Sequence, residues 1–343
     1  MKILVTGGTG YIASWVIKNL LDQGHDVNTT VRDLSNKEKT AHLTQMASAA
    51  KSNLTFFEAD LTKKNSFDEA VKGCEAVIHT ASPFFIQGIK DAQKQLIKPA
   101  VEGTRNVLES VNREEKVKKV VITSSVAAIF GDGEEIQNKE NGIFDENDWN
   151  NTSNEKHQAY SYSKTAAERE AWRLFAEQSQ WKLAVINPGF VLGPSITTRQ
   201  DSTSIDFIRS LLNGKFKQGV PELYFGVTDV RDVAKAHVIA ATQNQPHGRH
   251  IIVSESLSAL EIASKAKKVA GENYHIPDKV VPKPMLFLFG PFMGFSWKYI
   301  SKNIGIPLKF DNSKAKKDLG LEFLTVDETI HDQIQQLIND DLV

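Results

Sequence analysis

Residues 2–14 read KILVTGGTGYIAS: a short apolar run meets glycines at once and turns directly into an apolar helical pattern. No other stretch constrains the fold as strongly. A strand that ends in glycines and opens a helix brings unpaired backbone N–H groups and the positive end of the helix dipole to one point. That point suits an anion such as a pyrophosphate. In this reading Gly7 permits the tight turn and Gly10 lets the backbone approach the pyrophosphate. Ala13 fills the third small position, where helix meets strand. Thr9, Tyr11 and Ile12 belong to the same loop and are grouped with the cofactor-binding residues. A glycine pattern alone is weak evidence; here it follows a strand, opens a helix and begins a βαβ unit, which is the context that gives it meaning.

The rest of the first half repeats that alternation. Strands are expected at 2–6, 26–31, 54–59, 76–80, 119–124 and 183–187, with helical patterns at 12–21 and 93–111. Short apolar runs separated by longer amphipathic ones predict an α/β fold, a Rossmann-type doubly wound parallel sheet. After NPGFVLGP (187–194) the pattern changes. A helix at about 205–213 leads through a Gly/Pro-rich connection to a helical run at 229–241, and 250–254 reads as a strand returning to the sheet. The expected organisation is discontinuous: residues 1–190 plus 226–256 form the nucleotide-binding domain. Residues 191–225 plus 257–343 form a smaller, mostly helical substrate lobe.

With 41 Lys and Arg against 42 Asp and Glu, no global field attracts nucleic acid or an anionic surface. The single cysteine, Cys74, excludes an intramolecular disulfide and reads as a buried apolar filler. The most apolar late run, MLFLFGPFMGF (285–295), is broken by Gly290, Pro291 and Gly294 and is too short to span a bilayer. It fits a core segment, a pocket lid or a dimer surface. No His, Cys or carboxylate spacing fits a metal site. A cytoplasmic protein is expected, monomeric or homodimeric, with no nucleic-acid or membrane partner.

The end of strand two identifies the nucleotide. An acid that grips an NAD ribose is expected about 20 residues beyond the glycines. Val31 stands there, followed by Arg32. A carboxylate repels a 2′-phosphate, whereas a guanidinium binds one in a charge-assisted fork, so Arg32, aided by Lys39, points to NADP(H). Asp33 offers the competing reading, a surface ion pair with Arg32. Asp60, at the end of strand three, is either an acceptor for the adenine amino group, with Leu61 on the ring, or a surface cap.

Chemistry enters at HQAYSYSKTAAE (157–168). Residues four apart share a helix face and residues two apart do not, so Tyr160 lies beside Lys164 and Tyr162 lies away. Free phenol has a pKa of about 10. An adjacent ammonium favours the phenolate, so Lys164 is expected to lower Tyr160. Upstream, VVITSSVAAIFG (120–131) reads as a buried strand ending in Ser124 and Ser125 at the carboxyl edge of the sheet, where such folds bind ligands. His79 and His237 read as structural.

Taken in order, VTGGTGYIAS, TTVRD, EADL, HTASPF, PAVEGTRNVLES, TSSVAA, YSYSK, NPGFVLGP, DVRDVAKAH and DNSKAKKDLG cover nearly the whole chain. Together they resemble the extended short-chain dehydrogenases/reductases. The nearest subgroup holds dihydroflavonol reductases, cinnamoyl-CoA reductases and fungal methylglyoxal or aldehyde reductases. The resemblance implies Ser125 as the carbonyl-binding residue, in preference to Ser124, and Tyr160 as proton donor. It implies Lys164 as pKa modifier and ligand of the nicotinamide ribose. It places Pro188, Gly189 and Val191 along the nicotinamide, and Thr80, Ala81 and Ser82 near the cofactor. Two departures weaken the plant-type substrates. Phe130 stands where dihydroflavonol reductases carry asparagine, and Gln158-Ala159 precede the tyrosine where cinnamoyl-CoA reductases carry Asn-Trp. Phe84 and Phe130 are instead expected to wall an apolar pocket, as in the fungal enzymes. Ala100 stands where some short-chain enzymes place a relay asparagine. The expected function is NADPH-dependent reduction of an aldehyde or ketone. A nucleotide-sugar epimerase or dehydratase, or a non-enzymatic NADP-binding redox sensor, is the alternative.

Overall fold

The computed structural model describes residues 1–82, 91–198 and 202–343. Seven strands form one parallel sheet: β1 (Lys2–Thr6), β2 (Asp26–Val31), β3 (Leu54–Glu58), β4 (Ala76–His79), β5 (Lys119–Thr123), β6 (Lys182–Pro188) and, after an excursion, β9 (Gly248–Ile252). Their order is β3-β2-β1-β4-β5-β6-β9, so the chain reverses direction across the sheet between β1 and β4. In open sheets of this kind ligands bind at the carboxyl ends of the strands beside that reversal. The fold is Rossmann-like, as the alternation predicts.

Because both faces of the sheet are covered, its strands are apolar throughout. Ile3, Val5, Ile78, Val121 and Ile186 pack on one side against the helices Tyr11–Asp22 and Val230–Thr242. Leu4, Val77, Val120, Leu183 and Val185 pack on the other with Val107, Leu108, Ala171 and Leu174 of the helices Lys98–Asn112 and Ala159–Ala176. Val16, Leu20 and Leu21 form the buried stripe of the first helix. Cys74 is a buried thiol pushed up to about 12 by desolvation, which suits an apolar filler.

A second, three-stranded sheet joins β7 (Phe190–Leu192), β8 (Tyr224–Asp229) and β10 (Glu255–Ser258) in the order β10-β8-β7. The divisions expected at 190/191 and 225/226 run through or beside this sheet. Gly189 joins β6 to β7 where a Cβ would overlap the carbonyl oxygen of Gly226, so the two strands meet backbone to backbone. Below it, Ile205, Ile208, Ile262, Ile330 and Ile334 form a separate helical core. Helix caps set its boundaries: Ser258 with Glu261 and Thr325 with Glu328 each make a reciprocal capping box.

The apolar run at 285–295 is largely surface. Met285, Phe287, Leu288, Phe289 and Phe292 are exposed, Phe292 to 90%, as is Trp297 just beyond, while Leu286 is 1% exposed. Among the described residues no helix is long and apolar enough to cross a membrane, and no cluster of His, Cys, Asp and Glu could hold a metal ion.

Candidate active site

The glycine loop forms from local constraint. Gly7 has φ +70°, a conformation that a side chain disfavours, and a Cβ there would press on Ala81. A Cβ on Gly8 would overlap Thr29 Oγ1, so this glycine, which the motif reading passed over, is required for packing on β2. The helix Tyr11–Asp22 starts at Gly10 with no side-chain cap and no acid in its first turn. Its first N–H groups therefore await an acceptor from outside the helix. The Tyr11 hydroxyl donates to the Gly193 carbonyl at 2.6 Å and the Trp15 indole to the Pro194 carbonyl at 2.9 Å, tying this helix to the start of the second lobe. On the other side Thr80 donates to the Thr6 carbonyl at 2.5 Å, and Ala81 N–H donates to Thr6 Oγ1 at 3.1 Å. Thr80 and Ala81 thus abut the loop, as Ser82 and Lys164 share a small cavity nearby.

At the end of β2, Val31 is buried and Arg32 and Lys39 are exposed. Asp33 turns away from Arg32: its carboxylate accepts from Ser35 N–H at 2.8 Å and from the Ser35 hydroxyl at 2.6 Å. Those bonds hold Asp33 below the usual carboxylate range. The competing reading of Arg32 as the partner of Asp33 therefore finds no ion pair among the described residues. Asp60 is committed locally, since its Oδ1 accepts from Thr62 N–H and hydroxyl, both at 2.8 Å. Asn106 donates to the Leu61 carbonyl at 2.7 Å and fixes the backbone that follows.

Sequence spacing set the tyrosines apart, and the backbone carries that spacing. The helix Ala159–Ala176 begins before both, so Tyr160, Lys164 and Glu168 fall on successive turns of one face. Its first residue follows Gln158, held at φ +56° with its amide donating to the Gly131 carbonyl and to Asp132, both at 2.7 Å. Asp132 is also bonded to His157 at 2.9 Å and to Asn303 at 2.9 Å, which ties the helix start to the second lobe. Sequence reasoning did not find this cluster, whose members lie up to 171 positions apart.

The Tyr160 side chain is half-buried, with its phenol desolvated and the Ser125 side chain against it. Burial raises its pKa above the ordinary value, and the opposing influence is the Ser125 bond, not Lys164. This corrects the expectation of a lysine-lowered phenol. Desolvation disfavours phenolate more than the neighbouring groups favour it, so Tyr160 is a held, protonated acid. The Lys164 ammonium donates to the Thr123 carbonyl at 3.3 Å, and burial brings it down to about 8 against the pull of Glu168. Ser125 caps the turn Val126–Ala128, accepting from Ala127 N–H at 3.1 Å, and its Oγ lies 3.5 Å from the Pro188 carbonyl. Ser124 points elsewhere, donating to buried Glu168 at 2.5 Å.

Phe130 stacks on Phe144 at 4.9 Å and lies 5.7 Å from Phe310, an aromatic wall that follows directly on the Ser125 turn. Phe84 lies outside the described residues. Val191 packs against the main core from β7. His79 and His237 are buried and pulled down to about 3 and about 4 by desolvation. His237 Nδ1 faces the Val233 carbonyl at 2.7 Å, so it carries the proton and Nε2 accepts from Thr123.

The sequence model of the NAD dependent epimerase/dehydratase family matches residues 3–254. The chain belongs to that family. Within it, extended short-chain reductases are similar over nearly their full length. Cinnamoyl-CoA reductase CAD2 of Medicago truncatula is 33% identical over 98% of this chain and 95% of its own. Tetraketide alpha-pyrone reductase 1 of Arabidopsis thaliana is 32% identical over the same shares. Among solved structures, yeast methylglyoxal/isovaleraldehyde reductase Gre2 complexed with NADPH superposes with a TM-score of 0.81 at 28% identity, covering 99% of each chain. Extended short-chain family members with this sheet therefore include proteins with both plant and yeast reductase names.

Proposed function

We propose that this chain is an NADP-dependent oxidoreductase that reduces the carbonyl of a small aldehyde or ketone to an alcohol. The observation that carries the reading is the convergence of the Tyr160 and Ser125 side chains, one helical turn from Lys164 and beside Pro188 at the carboxyl edge of the sheet.

The chain's own residues fit the cofactor. Gly7 and Gly8 leave a cradle that Cβ atoms would fill, and the uncapped helix at Tyr11 offers N–H donors to a pyrophosphate. Arg32, unpaired with Asp33, and Lys39 supply charge for a 2′-phosphate. In this reading Thr80, Ala81, Ser82, Pro188, Gly189 and Val191 lie along the nicotinamide half of the cofactor. Asp60 Oδ1 is taken up by Thr62, which leaves the other carboxylate oxygen to accept from the adenine amino group, with Leu61 on the ring. Bound NADPH supplies the hydride.

Ser125 and Tyr160 converge as two hydroxyls on one carbonyl oxygen. Ser125 orients it, and Tyr160 donates a hydrogen bond that becomes proton transfer as charge develops there. A buried phenol with a raised pKa suits the donor role, because it stays protonated until the alkoxide claims the proton. Lys164 stabilises the phenolate left behind and holds the nicotinamide ribose. Phe130, with Phe144 and Phe310 behind it, favours an apolar substituent on the carbonyl carbon. The reductase names of the relatives support this reading. NADPH oxidation measured with a panel of small aldehydes and diketones tests it: turnover is expected for at least one of them, and tight NADPH binding without turnover on any sinks it.

A further inference from the structure

Behind Tyr160 and Lys164 lies a buried ionic cluster that the reaction as described does not use. Glu168, one turn after Lys164, has a side chain with no exposure. Its carboxylate accepts from the Ser124 hydroxyl at 2.5 Å, the Asn187 amide at 2.9 Å and the Trp172 indole at 3.2 Å. Arg249 of β9 places Nε 2.6 Å from the same group and is itself 6% exposed. The guanidinium lies 4.0 Å over the Trp149 ring and donates to the carbonyls of Ala128, Glu146 and Asp148. Apolar side chains can fill such a space at equal or lower cost, so packing alone does not account for a buried pair.

Three of its partners adjoin a reacting residue. Ser124 precedes Ser125. Asn187 donates to both Glu168 and the Ser125 carbonyl, the latter at 3.2 Å, and precedes Pro188. Ala128 closes the turn that Ser125 caps. Glu168, Lys164, Ser124 and Ser82 line one cavity of about 20 Å³.

We propose that Glu168, held by Arg249, is a positioning residue: it fixes Ser125, Lys164 and Pro188 relative to one another and sets a negative charge beside the Lys164 ammonium. The groups around Lys164 among the described residues are Tyr160 and Glu168 on its own helix, neutral His79 on β4 and the Thr123 carbonyl on β5, with Ser82, Thr104 and Ser124 lining the same cavity. Arg249 lies beyond Glu168, and His237 lies beyond the Thr123 hydroxyl. Glu168 is the one anion in this set. Removing its charge leaves burial unopposed, so Lys164 gives up its proton at lower pH than in the wild type.

The inference rests on the reductase reading, and the experiment separates the two. Wild-type turnover with an aldehyde is established first; its absence counts against the reading, not against Glu168. Glu168→Gln then removes the charge at constant size, and Glu168→Leu with Arg249→Met removes both charges together. Folding is checked by circular dichroism and a thermal melt. The expected result, in whichever variant folds, is a fall in kcat of roughly 10- to 100-fold, the cost of small misplacements at a reacting centre. The basic limb of the kcat–pH profile should also move to lower pH, which a merely structural loss does not produce. A folded variant with wild-type kcat and an unmoved basic limb overturns the proposal. Failure of both variants to fold makes the pair a determinant of folding alone and overturns it equally.

Discussion

Adjacent serines at the end of β5 take separate roles because the strand turns them to different neighbours: Ser124 to Glu168 and Ser125 to Tyr160. The same logic divides the tyrosines, and it predicts the result of a single-atom change. Tyr160→Phe keeps the ring and removes the donated proton, so kcat should fall on the order of 10²- to 10⁴-fold with NADPH binding retained. Tyr162→Phe, at a position off that face, should leave kcat near wild type; equal losses in the two variants would reject the assignment. Arg32 is the residue we propose for cofactor choice. Loss of a charge-assisted bond worth about 1.5–3 kcal/mol predicts that Arg32→Ala raises the NADPH KM roughly 10- to 100-fold and leaves NADH nearly unchanged. Steady-state kinetics with both nucleotides decides it, and parallel changes would return Arg32 to the surface.

At the scale of elements, the 285–297 segment narrows what the sequence left open between core, lid and surface. Of the short helix Lys283–Phe289, only Leu286 reaches the core, beside Ile300 and Ile304. Leu286→Ala should therefore cost about 2–5 kcal/mol, the range for large-to-small changes in a packed core. Leu288→Ser and Phe292→Ser, with side chains 66% and 90% exposed, should stay within about 0.5 kcal/mol of wild type. Urea unfolding of the three variants tests the contrast, and a large loss at Phe292 would show that this surface is covered. Elsewhere the elements follow their patterns closely. β1, β2 and the first helix begin and end within a residue or so of their apolar periodicity, because each is bounded by glycine or charge.

The molecule as a whole carries three buried histidines, His79, His237 and His250, that must fold neutral. His79 and His237 are pulled to about 3 and about 4 in the native state, against an ordinary value of 6.5. Above pH 6.5 both states bind the same number of protons at these sites and the stability is intact. Below it the unfolded chain gains protons that the native one refuses, so stability is lost progressively as pH falls from about 6.5 towards 4. The thermal midpoint should fall over that window, and His237→Gln should flatten the slope relative to wild type. An unchanged slope would show that other groups govern the acid limb.

The sequence by itself determined the sheet, the glycine loop, the tyrosine–lysine spacing and Arg32, because each depends on residues near one another in the chain. Strand alternation has period 2, helix faces repeat at i and i+4, and a turn needs its glycine locally. Tertiary structure alone decided the rest. It turned Asp33 onto Ser35, raised the Tyr160 pKa where a neighbouring lysine suggested lowering, and brought Arg249 to Glu168 across 81 positions. Those outcomes depend on burial and on which distant groups share a desolvated space. Local spacing carries no record of either, although KTAAE at 164–168 places Glu168 one turn from Lys164 for any reader who asks what a buried lysine requires.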